Sequence, residues 1–410
     1  MTGTSKLARR LDRWNGYRSY SYLPAGPDHA DFDFVPQPTR VPGSVIAWSE
    51  NVAARAARFE EEHFIVSAHD HLSLRPDDPA LFATYRRQGR ESMPYEGIAR
   101  SGVDLFFDGG PAAVSMIRSH TSWDWDDALS DLGMRQADWA HQSLVTRVLS
   151  YADAEAARAN GQVGVVLTLE AATPIGNDVD RLDILYGLGV RLLGLVYSES
   201  NQLGSGLADT GDAGLTLLGR KALRRMNDLG MIVDVSHCGD ATALDAVRNS
   251  GAPVVISHAG ARALWPTPRM KPDDVIKACA DSGGFIGVEA APHTTITAAH
   301  PRHSLDSVMQ HVERCVELVG IDHVAFGPDT NFGDHVAWHH EFAGLFGKDT
   351  GSPASTPTHE PVDYVHGCEN PAESVGNMIR WLFEHGYREA EIEKLAGSNV
   401  CRVARQVWRH

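Results

Sequence analysis

Phe64-Ile65-Val66-Ser67-Ala68-His69-Asp70-His71-Leu72 is an apolar run that ends in His-x-His. Side chains alternate faces along a strand, so His69 and His71 point one way while Asp70 points the other. Two imidazoles at the carboxyl end of a strand can chelate one divalent cation. Alone the tripeptide is a weak signal, and its weight depends on what the rest of the chain supplies.

Downstream of this run a rhythm appears. Short apolar or β-branched runs at 64–68, 103–107, 163–169, 190–196, 231–235, 253–257, 285–288 and 324–327 alternate with helical patterns. The helical stretches are 127–160, 182–188, 215–229, 240–249, 272–282 and 304–319. Gly161, Gly189, Gly230, Gly251 and Gly283 stand just before strands, where a left-handed cap turns the chain. Eight strands with intervening helices predict an α/β fold, a (β/α)8 TIM barrel. A doubly wound sheet shares this alternation, because a succession of elements does not display closure. Residues 1–62 read as an N-terminal extension packed on the barrel, with a capped helix over 42–62. Residues 63–410 read as the barrel itself, with C-terminal helices at 372–385 and 389–408. Between them, 335–371 reads as a long irregular loop.

Composition narrows the function classes. With 43% hydrophobic and 22% charged residues the chain is globular. A net charge of -16 disfavours nucleic acid and anionic membrane surfaces as partners. The five cysteines are scattered without a C-x-x-C, which argues against a disulfide framework or a thiolate metal site. The first 22 residues show no apolar signal core, and no run reaches membrane-spanning length, so a cytoplasmic protein is expected.

Active sites of such barrels lie at the carboxyl ends of the strands. There the chain places His69 and His71 (strand one), Glu170 (three), His237 (five), His258 (six) and Asp329 (eight). Four histidines and two carboxylates form a nitrogen and oxygen ligand set suited to zinc or another divalent metal. Five ligands exceed what one tetrahedral ion needs, so two ions are expected, with Glu170 as the bridge. His69 and His71 would hold one and His237 and His258 the other. A water or hydroxide between them would attack, and Asp329 would take its proton. Ser236 and Ser257 precede histidines, but neighbours on a strand face opposite sides, so neither serine is expected to contact its own histidine. Cys238 reads as a packed small residue. His293, His300, His303, His335, His339 and His340 read as surface or loop residues.

These residues resemble the renal (membrane) dipeptidase family, peptidase family M19, within the amidohydrolase-type barrels. The resemblance runs from about residue 64 onward. It is carried by Leu169-Glu170-Ala171, by 220–238 (RKALRRMNDLGMIVDVSHC) and by 253–262 (PVVISHAGAR). Phe326-Gly327-Pro328-Asp329 and the stretch from Cys368-Glu369-Asn370-Pro371 to Asn399 complete it. It implies a binuclear zinc hydrolase that cleaves dipeptides, with some relatives acting on dehydropeptides, β-lactams or D-residues. By position, His69, Glu170, His237 and His258 match metal ligands, Asp329 matches the acid/base, and Arg269 matches the arginine that grips the substrate carboxylate. Two residues depart from the family pattern: His71 stands where Asp is usual, and Tyr197 where a histidine polarises the scissile carbonyl. Tyr197 can still donate to a developing oxyanion. A small dipeptide is the expected partner, with a homodimer in keeping with relatives. The alternatives are a hydrolase for another amide, a lactam or an N-acyl amino acid, and a catalytically impaired metal-binding protein.

Overall fold

A computed structural model describes residues 5–24, 26, 32–110, 124–346 and 359–409. Its strands are β1 (Val66–Leu74), β2 (Leu105–Asp108), β3 (Val145–Arg147), β4 (Val163–Leu169), β5 (Val190–Gly194), β6 (Ile232–Asp234), β7 (Val254–Ala259), β8 (Ile286–Val288), β9 (Val324–Phe326) and β10 (Asn331–Phe332). All pairings are parallel, and the order runs β10-β1-β2-β4-β5-β6-β7-β8-β9 with β3 added beside β4. β9 and β10 are two pieces of one extended segment, interrupted near Asp329. Because β10 pairs with β1, His71 opposite Asn331, the ring returns to its first strand. Two bonds complete the joint, Asp329 N to His69 O and His71 N to Thr330 O, each 3.0 Å. Eight staves thus form the barrel expected from the alternating pattern.

One apolar cluster draws Val66, Ala68, Leu105, Phe107, Val166, Leu192, Ile232, Val255 and Ala325 together with the helix Asn399–Val407 and Trp408. Residues from so many sides of the ring define its interior. The helix covers the amino-terminal foot: Asn399 Nδ2 donates to Val324 O at 2.8 Å, and Trp408 Nε1 to Arg191 O at 3.3 Å. The other helices pack outside. Amphipathic Leu217–Leu229 buries Ala222, Leu223 and Met226 at helical spacing, starts on a Thr216 cap and ends on Gly230, whose φ is +80°.

At the foot, the helix Lys6–Trp14 is tied to the barrel by Lys6 Nζ and Arg10 Nη2, 2.8 and 2.7 Å from the two oxygens of Asp104. The helix Glu50–Glu62 starts on Ser49, and Phe59 packs edge-on against Phe383.

Several expectations change. β1 runs on to Leu74 because β10 pairs with its far half, so His69 and His71 lie inside the strand and not at its end. The helix expected over 127–160 is two helices, Trp125–Trp139 and Tyr151–Ala159, with β3 between. The helix expected over 42–62 is a short 3₁₀ turn at Pro42–Ser44 and then Glu50–Glu62. The loop after Asp329 contains the helix His335–Phe346, begun by Asp334, whose Oδ1 accepts from Ala337 N at 2.9 Å. Gly251 has no positive φ, unlike Gly161, Gly189, Gly230 and Gly283; Asn227 Oδ1 accepts from its N–H instead, at 2.7 Å. The 389–408 helix is interrupted by a π turn at Lys394–Ser398, where Gly397 lies close to Phe64 O. Most of the Pro-rich run 351–361, and Pro27, lie outside the described residues.

Candidate metal centre

The carboxyl-terminal mouth brings together His69, His71, Glu170, Tyr197, His237, His258, Arg269 and Asp329. His237 and His258 approach through Nε2 at 2.9 Å. Glu170 Oε2 is 3.2 Å from His237 Nε2 and 3.7 Å from His258 Nε2, while its Oε1 is 3.8 Å from His71 Nε2. His71 Nε2 lies 2.9 Å from Asp329 Oδ1, and His69 Nε2 is 3.6 Å from the same oxygen. Three sets of ligand atoms each fall within 4.8 Å of one another: His69, Glu170 and His258; His69, His71 and Asp329; His258, Glu289 and Asp329.

The local chain explains these positions. A register irregularity in β1 between Ser67 and Asp70 accompanies the turn of His69 and His71 toward the mouth. Asp70 faces the closing joint, accepting from Ser67 Oγ (2.6 Å), Thr330 N (3.0 Å) and Thr330 Oγ1 (2.7 Å). Gly109 must be glycine, because a Cβ there would sit 2.4 Å from His69 Cε1.

His258 is held by a relay. Its Nδ1 is 2.8 Å from Ser257 Oγ, which donates to Asp234 Oδ2 at 2.6 Å. With Ser257 spending its proton on Asp234, His258 Nδ1 is the donor and Nε2 carries the lone pair toward Glu170. This contact corrects the expectation that Ser257 cannot meet its own histidine. The pairing of β7 with β8 slips between Ile256 and Ala259, so strict alternation fails there. Ser257 is thereby an orienting group. Cys238 is buried, and burial pushes its thiol up to about 12, which leaves it a packed, protonated side chain.

The electrostatics fit a divalent cation. Burial lowers His69 to about 3 and drives His237 and His258 well below the usual imidazole range, so all three are neutral, the state in which an imidazole can bind a metal. Neither nitrogen of His69 has a hydrogen-bond partner among the described residues, nor has His237 Nδ1. Burial, together with the charge of Asp329, raises Glu170 well above the ordinary carboxylate range. Burial also opposes ionisation of Asp329, but the hydrogen bond from His71 and the nearby His258 and His69 hold its carboxyl well below that range. Two crowded carboxylates beside lone-pair imidazoles are what a divalent ion would stabilise.

Tyr197 stacks on His237, ring centroids 4.1 Å apart, and burial raises its phenol well above 10, so it is a proton-bearing donor. Arg269 Nη1 donates to His258 O at 3.1 Å and Ser236 O at 3.4 Å, while Nη2 meets Glu289 and lies 3.9 Å from Asp329 Oδ2.

Glu289 was not singled out by the strand-end reading, although it directly follows Phe285-Ile286-Gly287-Val288 as Glu170 follows its own strand. The histidines expected on loops or the surface are also corrected in part. His303 and His335 are buried, and the Nε2 atoms of His335 and His339 stand 3.0 Å apart. The helix His335–Phe346, unforeseen in the sequence, carries this pair inward.

A parallel eight-staved α/β barrel with imidazoles and carboxylates gathered at its mouth is the framework of a metal-dependent hydrolase. The model of the membrane dipeptidase family, peptidase family M19, matches residues 129–339. The chain belongs to this family of metallo-dipeptidases. It is 29% identical over 272 residues to an uncharacterized protein in the pqqA 5' region of Klebsiella pneumoniae, an alignment covering 64% of this chain and 88% of that one. It is 29% identical over 250 residues to the dipeptidase tcpJ of Claviceps purpurea, covering 60% of this chain and about half (52%) of the fungal protein. Among solved structures, an amidohydrolase from Pseudomonas aeruginosa superposes with a TM-score of 0.69 at 22% identity, over 86% of this chain and 99% of that one. No helix among the described residues is long and apolar enough to cross a membrane.

Proposed function

We propose that the protein is a divalent-metal hydrolase that cleaves the amide bond of dipeptide-sized substrates. The observation that carries this reading is the convergence of neutral His69, His237 and His258 with Glu170, all buried, beside the carboxylate of Asp329. Family membership and the dipeptidase name of the Claviceps relative support the substrate class.

His69, His71, Glu170, His237 and His258 would hold two ions, zinc being the metal best suited to this nitrogen and oxygen set. Such ions supply Lewis acidity and water activation at neutral pH. The chain's own groups do the rest. Asp329 accepts a proton from the attacking water and returns it to the leaving nitrogen. Tyr197, protonated and packed on His237, donates to the oxygen that gains charge at the scissile carbonyl. Asp234 and Ser257 fix the tautomer and aim of His258.

Metal analysis combined with a substrate panel tests this. The expected result is two divalent ions per chain, hydrolysis of L,L- or L,D-dipeptides, loss of activity on chelation and recovery with zinc. A fully loaded protein that turns over no dipeptide sinks the dipeptide reading. If it then cleaves N-acyl amino acids or lactams, the same site serves another amide. His71, Tyr197 and the engagement of Arg269 are the features that favour that second reading.

A further inference from the structure

The helix His335–Phe346 begins with two imidazoles on one face, because residues four apart lie one turn above each other. The Nε2 atoms of His335 and His339 stand 3.0 Å apart. His335 is buried and His339 is half-buried. Two nitrogens bound to one zinc ion at about 2.0–2.1 Å lie about 2.9 to 3.4 Å from each other, for bond angles of about 90 to 110°. The pair therefore has the bite of a chelate. It also matches the 2.9 Å between His237 Nε2 and His258 Nε2 at the centre.

The fold holds this pair in place before any ion arrives. Asp334 Oδ1 caps the helix by accepting from Ala337 N at 2.9 Å. Trp338, between the two histidines, packs edge-on against Phe82 with ring centroids 5.6 Å apart, and the Arg75 guanidinium lies over it. Desolvation drives His335 well below the usual imidazole range and lowers His339 to about 4, so both rings are neutral at pH 7. Among the described residues no carboxylate or thiol joins the pair as a third ligand within 4.8 Å. Two neutral nitrogens suit zinc, nickel or copper, and not magnesium or calcium.

We propose that His335 and His339 form a further cation site, outside the centre at the barrel mouth, for a divalent transition-metal ion such as zinc. Asp329 and His71 are the groups of the centre whose charge reaches both rings. The two ions assigned to the centre are thus near enough to repel another. Glu170 and Asp329, ionised when they face metal, offset only part of that charge. The site is accordingly the weakest of the three: it fills after the centre and empties before it.

The test dialyses the full-length protein against excess zinc and counts bound zinc per chain. The wild type should hold one ion more than His335→Gln or His339→Gln. Glutamine can keep a hydrogen bond between the two positions but is a far poorer zinc ligand than imidazole. If the contact were only a hydrogen bond within the helix, wild type and variants would bind the same amount. His63→Gln, at the exposed group of Glu62, His63 and Glu389, is the control for zinc held elsewhere and should keep the extra ion. Stepwise chelation should remove that ion before those of the centre.

Thermal melting of the metal-free chains reads folding separately. Should His335→Gln, at a buried position, fail to fold, His339→Gln decides alone. The readout is a difference between wild type and variant. A centre that holds fewer than two ions lowers both counts alike, so failure of the two-ion reading is seen apart from failure of this one. Equal zinc in wild type and His339→Gln, an extra ion that only His63→Gln removes, or one that outlasts the ions of the centre overturns the proposal.

Discussion

Buried polar groups sit at both ends of this barrel, and the two ends pair them differently. At the foot, both oxygens of Asp104 are used: Oδ2 accepts from Lys6 Nζ (2.8 Å) and Ile65 N (2.9 Å), and Oδ1 from Arg10 Nη2 (2.7 Å). At the mouth, His69 is as deeply buried, yet both its nitrogens lack partners among the described residues. At the foot the carboxylate is fully paired and fastens the helix Lys6–Trp14 to the barrel, although Arg10 Nε has no partner among the described residues. At the mouth the unpaired atoms are imidazole nitrogens, whose burial costs free energy unless a bound group meets them.

The sharpest way to break the comparison is at the foot. Asp104→Asn leaves Lys6 and Arg10 buried without their counter-charge. It should lower stability by about 3 kcal/mol and expose the helix Lys6–Trp14 to proteolysis. Activity per folded molecule should be unchanged. Thermal unfolding and limited proteolysis measure the first two, and an activity loss beyond the unfolded fraction would show that the two ends are not separate.

A buried histidine packed behind the loops that follow β7 and β8 gives the pH dependence. His311 Nδ1 accepts from Ala261 N at 3.0 Å and its Nε2 donates to Ile296 O at 3.0 Å, so the folded state needs the neutral ring. Burial lowers it to about 4. Between about 4 and the unfolded value near 6.5 the unfolded chain binds more protons. Stability from this group is therefore whole above about pH 6.5 and is lost as pH falls toward 4, by about 3 kcal/mol in all. His311→Gln can keep both hydrogen bonds without titrating. Urea unfolding at pH 7 and pH 4.5 should show a smaller difference for this variant than for the wild type; equal differences would refute the assignment.

The smallest effect belongs to the orienting groups at the mouth. Ser257→Ala cuts the link between Asp234 and His258. Metal affinity or activity should fall by about ten- to a hundredfold, with little change in the stability of the metal-free protein. Metal titration of the variant checks this, and an unchanged affinity and rate would make Ser257 a packing residue only.

Much of this architecture was legible in the chain. Apolar runs ending in Glu170, His237, His258 and Asp329 marked both the staves and the mouth, because burial and strand alternation are local signals. The failures have physical causes too. The break between Trp139 and Tyr151 carries no glycine or proline, so helical spacing seemed to run through β3. The slip in pairing beyond Ile256 is a property of two strands together, and only the fold reveals that Ser257 reaches His258. Glu289 obeyed the rule that found Glu170, but its run, Phe285 to Val288, is short and holds a glycine. It meets Arg269, from the loop after the neighbouring strand β7, only once the two strands are paired.

The joint that closes the ring also fixes the last residue of the mouth. Asp329 has φ +54°, a conformation that residues other than glycine adopt only when their surroundings impose it. Those surroundings are the first strand, met by the last. As the chain leaves the ribosome, His69, His71, Glu170, His237 and His258 all emerge before Asp329. Asp329, proposed above to carry the proton, is thus the last of these residues to be made, and it is set in place by the contact that completes the ring.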